Sequence, residues 1–266
     1  SAGFCFGVDR AVQTVYDLLS EGKKVCTLGP IIHNPQLVKE LSERGVRIVN
    51  SPDEVNVGET LVIRSHGVEP WVTKRAAELN TQTVDATCPF VAKIHKIVSA
   101  GDEEKSVTLV AGDALHQEVK GIVGHCRGEV YVFSGVGELE KLIEEKGDFG
   151  KKEIIAVAQT TFNEKIFEEC KKKLKKVYTN AKIFDTICNA TSNRQQEADE
   201  LSRRNDVMVV IGGRHSSNTA KLFDVCLKNC GRTYLVETAA ELKAPMFENC
   251  GSVGVVAGAS TPAGII

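Results

Sequence analysis

Residues 81–95 read TQTVDATCPFVAKIH: a short β-branched run, then a cysteine, then a helical pattern. A strand feeding a helix through a brief turn is the building unit of parallel α/β structure. Residues 181–195, AKIFDTICNATSNRQ, repeat the arrangement around Cys188. Residues 2–12, AGFCFGVDRAV, repeat its second half around Cys5, with too few residues ahead of Gly3 for a strand. Cys5, Cys88 and Cys188 thus take equivalent places in three units of roughly equal length. The division reads as 1–88, 89–187 and 188–266.

The rest of the chain alternates in the same way. Further strand patterns are KKVCTLG (23–29), VRIVN (46–50), ETLVIRS (59–65), SVTLVAG (106–112), EVYVFSG (129–135), EIIAVAQ (153–159), DVMVVIGG (206–213), RTYLVE (232–237) and SVGVVAG (252–258). Helical patterns at 34–45, 69–80, 137–147 and 163–178 lie between them. Many strands are apolar almost throughout, as expected when helices cover both faces of a parallel sheet. Eleven strands exceed the ~5–6 of a typical sheet, so two or three α/β units are expected. The basic run KKKLKK (171–176) follows EKIFEEC and reads as the solvated face of a helix.

Composition narrows the function. With 266 residues the chain can bury several cores. A net charge of −2 leaves no basic footprint for nucleic acid. No apolar run reaches the ~18 residues of a membrane span, and no secretory signal is visible, so a cytoplasmic protein is expected. Nine cysteines spread through an α/β chain of this size point to reduced thiols rather than a secreted disulfide framework.

Cysteines at helix starts face free N–H groups and a positive dipole end, which favours thiolate and predicts a lowered thiol pKa. Three thiolates converging from three units make a metal site with one coordination position open. An iron–sulfur cluster suits that count, zinc remains open, and three buried cysteines at βα turns would look the same in sequence. Cys226 and Cys230 are four apart on a helical pattern and fit a buried helix face. Cys26, Cys126, Cys170 and Cys250 read as core or incidental.

A second set of residues sits at strand ends, in GPIIHNPQ (29–36), IRSHGVEP (63–70), AGDALHQEV (111–119), AQTTFNE (158–164), GGRHSSNT (212–219) and AGASTP (257–262). Ligands of parallel sheets bind beyond the C-terminal strand ends. His, Ser, Thr and Asn beside helix starts suit an anionic phosphate ligand, although each alone also suits an N-cap or turn. Glu118, two residues after His116, is a candidate proton donor. Neither a P-loop nor a dinucleotide-binding glycine motif is present.

Taken in order, GFCFGVDRAV, GPIIHNPQ, SHGV, DATCPFV, QTTFN, ICNATSNRQ, HSSN and AGASTP closely resemble the 4-hydroxy-3-methylbut-2-enyl diphosphate reductases, the IspH or LytB family. The resemblance runs from Gly3 to Pro262. It implies three α/β domains with mostly parallel sheets, arranged with pseudo-threefold symmetry around a central [4Fe–4S] cluster held by Cys5, Cys88 and Cys188. It implies diphosphate binding by His33, His66, His116, Ser216, Ser217, Asn218 and Ser260. Thr160 would lie by the substrate hydroxyl and Glu118 would give the proton, with His116 beside it. The implied reaction converts 4-hydroxy-3-methylbut-2-enyl diphosphate to isopentenyl and dimethylallyl diphosphate, with electrons from a donor such as ferredoxin or flavodoxin.

Two departures stand out. The family usually reads His-Pro-Glu where this chain has His116-Gln117-Glu118, and a strand before Gly3 and a tail after Pro262 are expected from it. Loss of the proline is expected to loosen the backbone beside Glu118. The enzyme alternative is another three-domain [4Fe–4S] protein, quinolinate synthase-like, which would place arginines in the pocket loops; only Arg64 and Arg214 are near. The non-catalytic alternative is a metal or redox sensor, which has no need of six polar loops.

Overall fold

The computed structural model describes residues 2–147, 149 and 152–266. The first unit runs α1 (Phe6–Ser20), β1 (Lys24–Leu28), α2 (Pro35–Glu43), β2 (Arg47–Val49), β3 (Glu59–Ile63), α3 (Pro70–Glu78) and β4 (Gln82–Asp85). Next come α4 (Pro89–Ser99), β5 (Ser106–Ala111), α5 (Gln117–His125), β6 (Glu129–Phe133), α6 (Val136–Lys146), β7 (Glu153–Ala158), α7 (Glu164–Val177) and β8 (Ala181–Ile183). Last are α8 (Asn189–Ser202), β9 (Val207–Ile211), α9 (Ser217–Asn229), β10 (Thr233–Val236) and β11 (Val253–Ala257).

All the strands pair in parallel, in three sheets ordered β2-β1-β3-β4, β6-β5-β7-β8 and β10-β9-β11. Each sheet is packed by the helices that the alternation predicts. Val12 and Val15 of α1 join Leu37 and Leu41 of α2 over Val25 and Val62 on one face of the first sheet. Val72 and Ala76 of α3 meet Leu61 and Ile63 on the other. In the second sheet, Ile94, Val98, Val119 and Ile122 of α4 and α5 cover Val110, Ile155 and Val157. Phe167, Cys170 and Leu174 of α7 cover the opposite side with Leu139 of α6. This two-sided cover explains why every residue of β3 and β5 is buried, Glu59, Thr60, Ser106 and Thr108 included. The third sheet differs. Ala198, Leu222 and Cys226 of α8 and α9 pack on Val210 and Val256, while β11 alternates and leaves Val253 and Val255 exposed.

A threefold regularity fixes where functional side chains fall. A glycine follows the first strand of each sheet and bonds to its neighbour: Gly29 N–H to Val49, Gly112 to Phe133, Gly212 to Val236. Four residues later come His33, His116 and Ser216, each at or next to a helix N-cap. Three residues beyond β3, β7 and β11 come His66, Thr161 and Ser260. Each cysteine then closes onto the preceding loop: Cys88 N–H donates to Ser65 O at 2.9 Å, Cys188 to Thr160 O at 3.0 Å, and Cys5 to Ala259 O at 3.0 Å. Cys5 is thus anchored by the loop after β11, although its helix packs on the first sheet. The buried Arg194 ties this junction, donating to Ala257 O at 2.8 Å and Gly3 O at 2.7 Å.

The other cysteines do not converge on this point. Cys26, Cys170, Cys226 and Cys230 are buried in the cores. Lys171, first of the basic run, pairs with Glu168 and Asp185 on and beside α7.

Candidate active site

A cavity opens where the C-terminal ends of the three sheets meet. Cys5, Cys88, Cys188, His33, His66, His116, Glu118, Thr160, Ser216, Ser217, Asn218 and Ser260 all line it. Thr161, Thr191 and Ser65 line it too and were not singled out in the sequence. The threefold spacing would have found Thr161, the counterpart of His66 and Ser260. Its hydroxyl lies 2.9 Å from that of Ser217.

The three cysteines are the N-cap residues of α1, α4 and α8, in extended backbone and without a side-chain capping bond. All three line the same cavity, and Cys5 and Cys188 lie near enough to act electrostatically on Cys88. Gly7 makes room: a Cβ there would stand 2.5 Å from Cys88 Sγ. The expected fall in thiol pKa is corrected by the structure. N–H groups of Phe90 and Val91 do pull Cys88 down, and those of Ala190 and Thr191 do so for Cys188, but burial outweighs them and both thiols titrate above their ordinary value. The neighbouring thiols add to the rise, as Cys5 and Cys188 do for Cys88. A bound cation reverses that balance, because it stabilises all three thiolates at once. Three thiols lining one cavity, a glycine that leaves room for Cys88 Sγ and three helix N-termini fit a metal or metal–sulfur group.

The histidines form a triad above them. Ring centroids are 4.8 Å apart for His33 and His66, 5.6 Å for His33 and His116, and 5.4 Å for His66 and His116. Burial first, then Arg64 and neighbouring imidazoles (His215 for His33, His33 and His116 for His66, His33 for His116), pulls all three below the ordinary histidine value, His116 to about 4. They are neutral at pH 7. His116 Nδ1 accepts the N–H of Glu118 at 3.1 Å, so its proton sits on Nε2. His33 Nε2, His66 Nδ1 and both polar atoms of the Asn218 amide are buried without a partner. Buried polar groups are nearly always bonded, so this cluster is built for a polar ligand. Ser216 caps α9 through the Thr219 N–H, and Ser260 donates to Ser216 at 3.3 Å. The N-termini of α5 and α9 add partial positive charge.

Glu118 sits between thiols and histidines, 2% exposed. Thr160 N–H donates to its Oε1 at 2.7 Å, and the Thr160 hydroxyl donates to Oε2 at 2.8 Å. Burial pushes the carboxyl up to about 7 despite those bonds. The loosening expected at Gln117 is countered by a bond: its Oε1 accepts from Arg64 Nη2 at 2.8 Å. Arg64 and Arg214 do not line the cavity. Arg214 is exposed and pairs with Glu241.

Fold and site together describe a three-sheet α/β protein with a thiol group at the base of an anion-ready pocket. The family model described as LytB protein matches residues 1–266. The 4-hydroxy-3-methylbut-2-enyl diphosphate reductase of Thermoanaerobacter sp. is 42% identical over 265 residues, covering 98% of this chain and 90% of that protein. The protein of the same name from Citrifermentans bemidjiense is 43% identical over 265 residues, covering 100% and 92%. A solved reductase, E-1-hydroxy-2-methyl-but-2-enyl-4-diphosphate reductase from Plasmodium falciparum, superposes with a TM-score of 0.90 at 27% identity, over 99% of this chain and 83% of that one. A second, described as the terminal enzyme of the non-mevalonate pathway, gives 0.67 at 39% identity over 99% and 93%. The chain belongs to the LytB family.

Proposed function

We propose that this chain is a 4-hydroxy-3-methylbut-2-enyl diphosphate reductase, the terminal enzyme of the non-mevalonate route to isoprenoids. It removes the allylic hydroxyl of its substrate to give isopentenyl and dimethylallyl diphosphate. The reaction breaks one C–O bond, takes up two electrons and two protons, and releases water. The observation that carries the reading is one cavity holding three thiols, three neutral imidazoles and a buried carboxyl near pH-neutral titration.

The parts divide by chemistry. Cys5, Cys88 and Cys188 would hold a [4Fe–4S] cluster, which would supply electrons from an external donor such as ferredoxin or flavodoxin. His116 donates through Nε2 to the diphosphate. His33, His66 and Asn218 satisfy their orphaned atoms on the same group, with Ser216, Ser217 and Ser260 around it. Thr160 orients Glu118 and meets the substrate's hydroxyl end. Glu118, protonated below about pH 7, delivers a proton to the reacting carbon or to the departing oxygen. The site draws on three units: 1–88 gives Cys5 and Cys88, 89–187 gives His116, Glu118 and Thr160, and 188–266 gives Cys188. No helix of the described residues is long and apolar enough to cross a membrane, and a cytoplasmic location agrees with nine free thiols.

The test is direct. Anaerobically purified protein with a reduced one-electron donor should convert the allylic diphosphate to the two isomeric products. Product-free incubation with intact, cluster-loaded protein would reject the assignment.

A further inference from the structure

Arg64 stands one residue beyond β3 and is 8% exposed. Its guanidinium crosses Gly29, where φ is +68° and a Cβ would lie 2.1 Å from Nη1. Glycine is therefore required there twice over, for its backbone and for the arginine's path. Nη2 is held by Gln117 Oε1 at 2.8 Å, and Nε is buried without a partner. Burial alone disfavours the charge, and no carboxylate of the described residues offsets it. A buried cation without a counter-ion is costly. This one is wedged among three chain segments, its own loop, the loop after β1 and the start of α5, which carry His66, His33 and His116. Its charge bears on all three imidazoles and helps keep them neutral.

The threefold arrangement adds an independent argument. Gln159, the residue after β7, reaches Ser217 at the first position of α9, with Nε2 3.5 Å from Oγ. Arg64 makes the matching reach to Gln117 at the first position of α5. Gly258, the residue after β11, has no side chain to do so. The position after the third strand is thus where one unit grips the first turn of the next unit's pocket helix, and only in the first unit does the grip carry charge. Gln117 stands where the family usually has proline. Proline would suit the first helical position but offers Arg64 no acceptor.

We propose that Arg64, anchored on Gln117, is a specificity-determining positioning residue: the fixed charge behind the histidine triad that makes the pocket prefer a diphosphate to a monophosphate. The proposal rests on the diphosphate reading above. Neutral imidazoles donate hydrogen bonds to either ligand, whereas a fixed cation gains more from the ligand with more negative charge.

The experiment measures binding of inorganic pyrophosphate and of inorganic phosphate to the anaerobically prepared holoenzyme by calorimetry, with iron content as the control for an intact site. Arg64→Met should weaken pyrophosphate binding by about tenfold to a hundredfold and phosphate by only about threefold, so that the selectivity ratio falls. Arg64→Lys should keep most of the ratio, and Gln117→Leu should lower it by about threefold, since an unanchored guanidinium is less well placed. A merely structural role for Arg64 would weaken both ligands equally. An unchanged ratio in Arg64→Met overturns the proposal. Should Arg64→Met fail to fold, an unchanged ratio in Gln117→Leu overturns it. Failure of the parent protein to bind pyrophosphate at all would remove the diphosphate reading itself, and this proposal with it.

Discussion

Thr160 grips Glu118 from two sides, with its N–H on Oε1 at 2.7 Å and its hydroxyl on Oε2 at 2.8 Å. The grip fixes the carboxyl's direction without settling its charge. Both bonds favour carboxylate, burial favours the acid, and burial wins, leaving the group near 7. A proton donor is competent below its pKa. Turnover is therefore expected to fall as pH rises through about 7, a single limb on the alkaline side. Glu118→Gln should abolish that limb and lower turnover by about 10²–10⁴-fold while leaving iron content intact. Normal turnover in this variant would take Glu118 out of the mechanism.

Thr160→Val tests the same pair from the other side. It keeps the backbone N–H and removes the hydroxyl, so one bond that lowers the carboxyl's pKa is lost. The alkaline limb should move to higher pH. A buried acceptor left short of a partner should also cost about 1–3 kcal/mol of stability, readable in denaturant unfolding. A limb that moves to lower pH would contradict the geometry.

The thiol assignment separates two classes of cysteine. Serine at Cys5, Cys88 or Cys188 should each remove the visible absorption of the cluster. Serine at Cys226 should cost stability, through a hydroxyl in the core beside Met208 and Leu222, yet leave that absorption. Gly7→Ala should behave like the first class, because its Cβ would fall 2.5 Å from Cys88 Sγ. A spectrum untouched by Gly7→Ala would mean that this crowding is relieved without displacing the thiol.

For the anion end, His33→Ala or Asn218→Ala should each weaken pyrophosphate binding by about 1–3 kcal/mol, the usual loss for a hydrogen bond to a charged group. Burial holds all three imidazoles below the ordinary histidine value, so binding should change little from pH 7 to 8 beyond the ligand's own titration. A sharp loss of affinity across that range would indicate protonated histidines in the complex.

Much of this was legible in the sequence because it is local. A strand, a cysteine and a helix start share a dozen residues, so the three junctions could be read directly, and so could the polar loops at strand ends. What stayed hidden is tertiary. The matching positions His66, Thr161 and Ser260 carry three different side chains, which conceals Thr161 until the sheets are superposed in the mind. The Arg64–Gln117 bond spans 53 residues and two sheets. A helix start reveals the N–H groups that lower a thiol's pKa but not the burial that raises it at Cys88 and Cys188. The third sheet's exposed β11 face likewise lay beyond pattern reading, since Val253 and Val255 look like core in a run of apolar residues.

Cys5, Cys88 and Cys188 line one pocket and are proposed to hold a single iron–sulfur cluster there. Iron and acid-labile sulfide analysis of anaerobically purified protein tests it most directly. About four iron and about four sulfide per chain are expected, falling together in Cys5→Ser, Cys88→Ser and Cys188→Ser. One zinc per chain with no sulfide, or a full cluster retained after loss of any one of those cysteines, would contradict it.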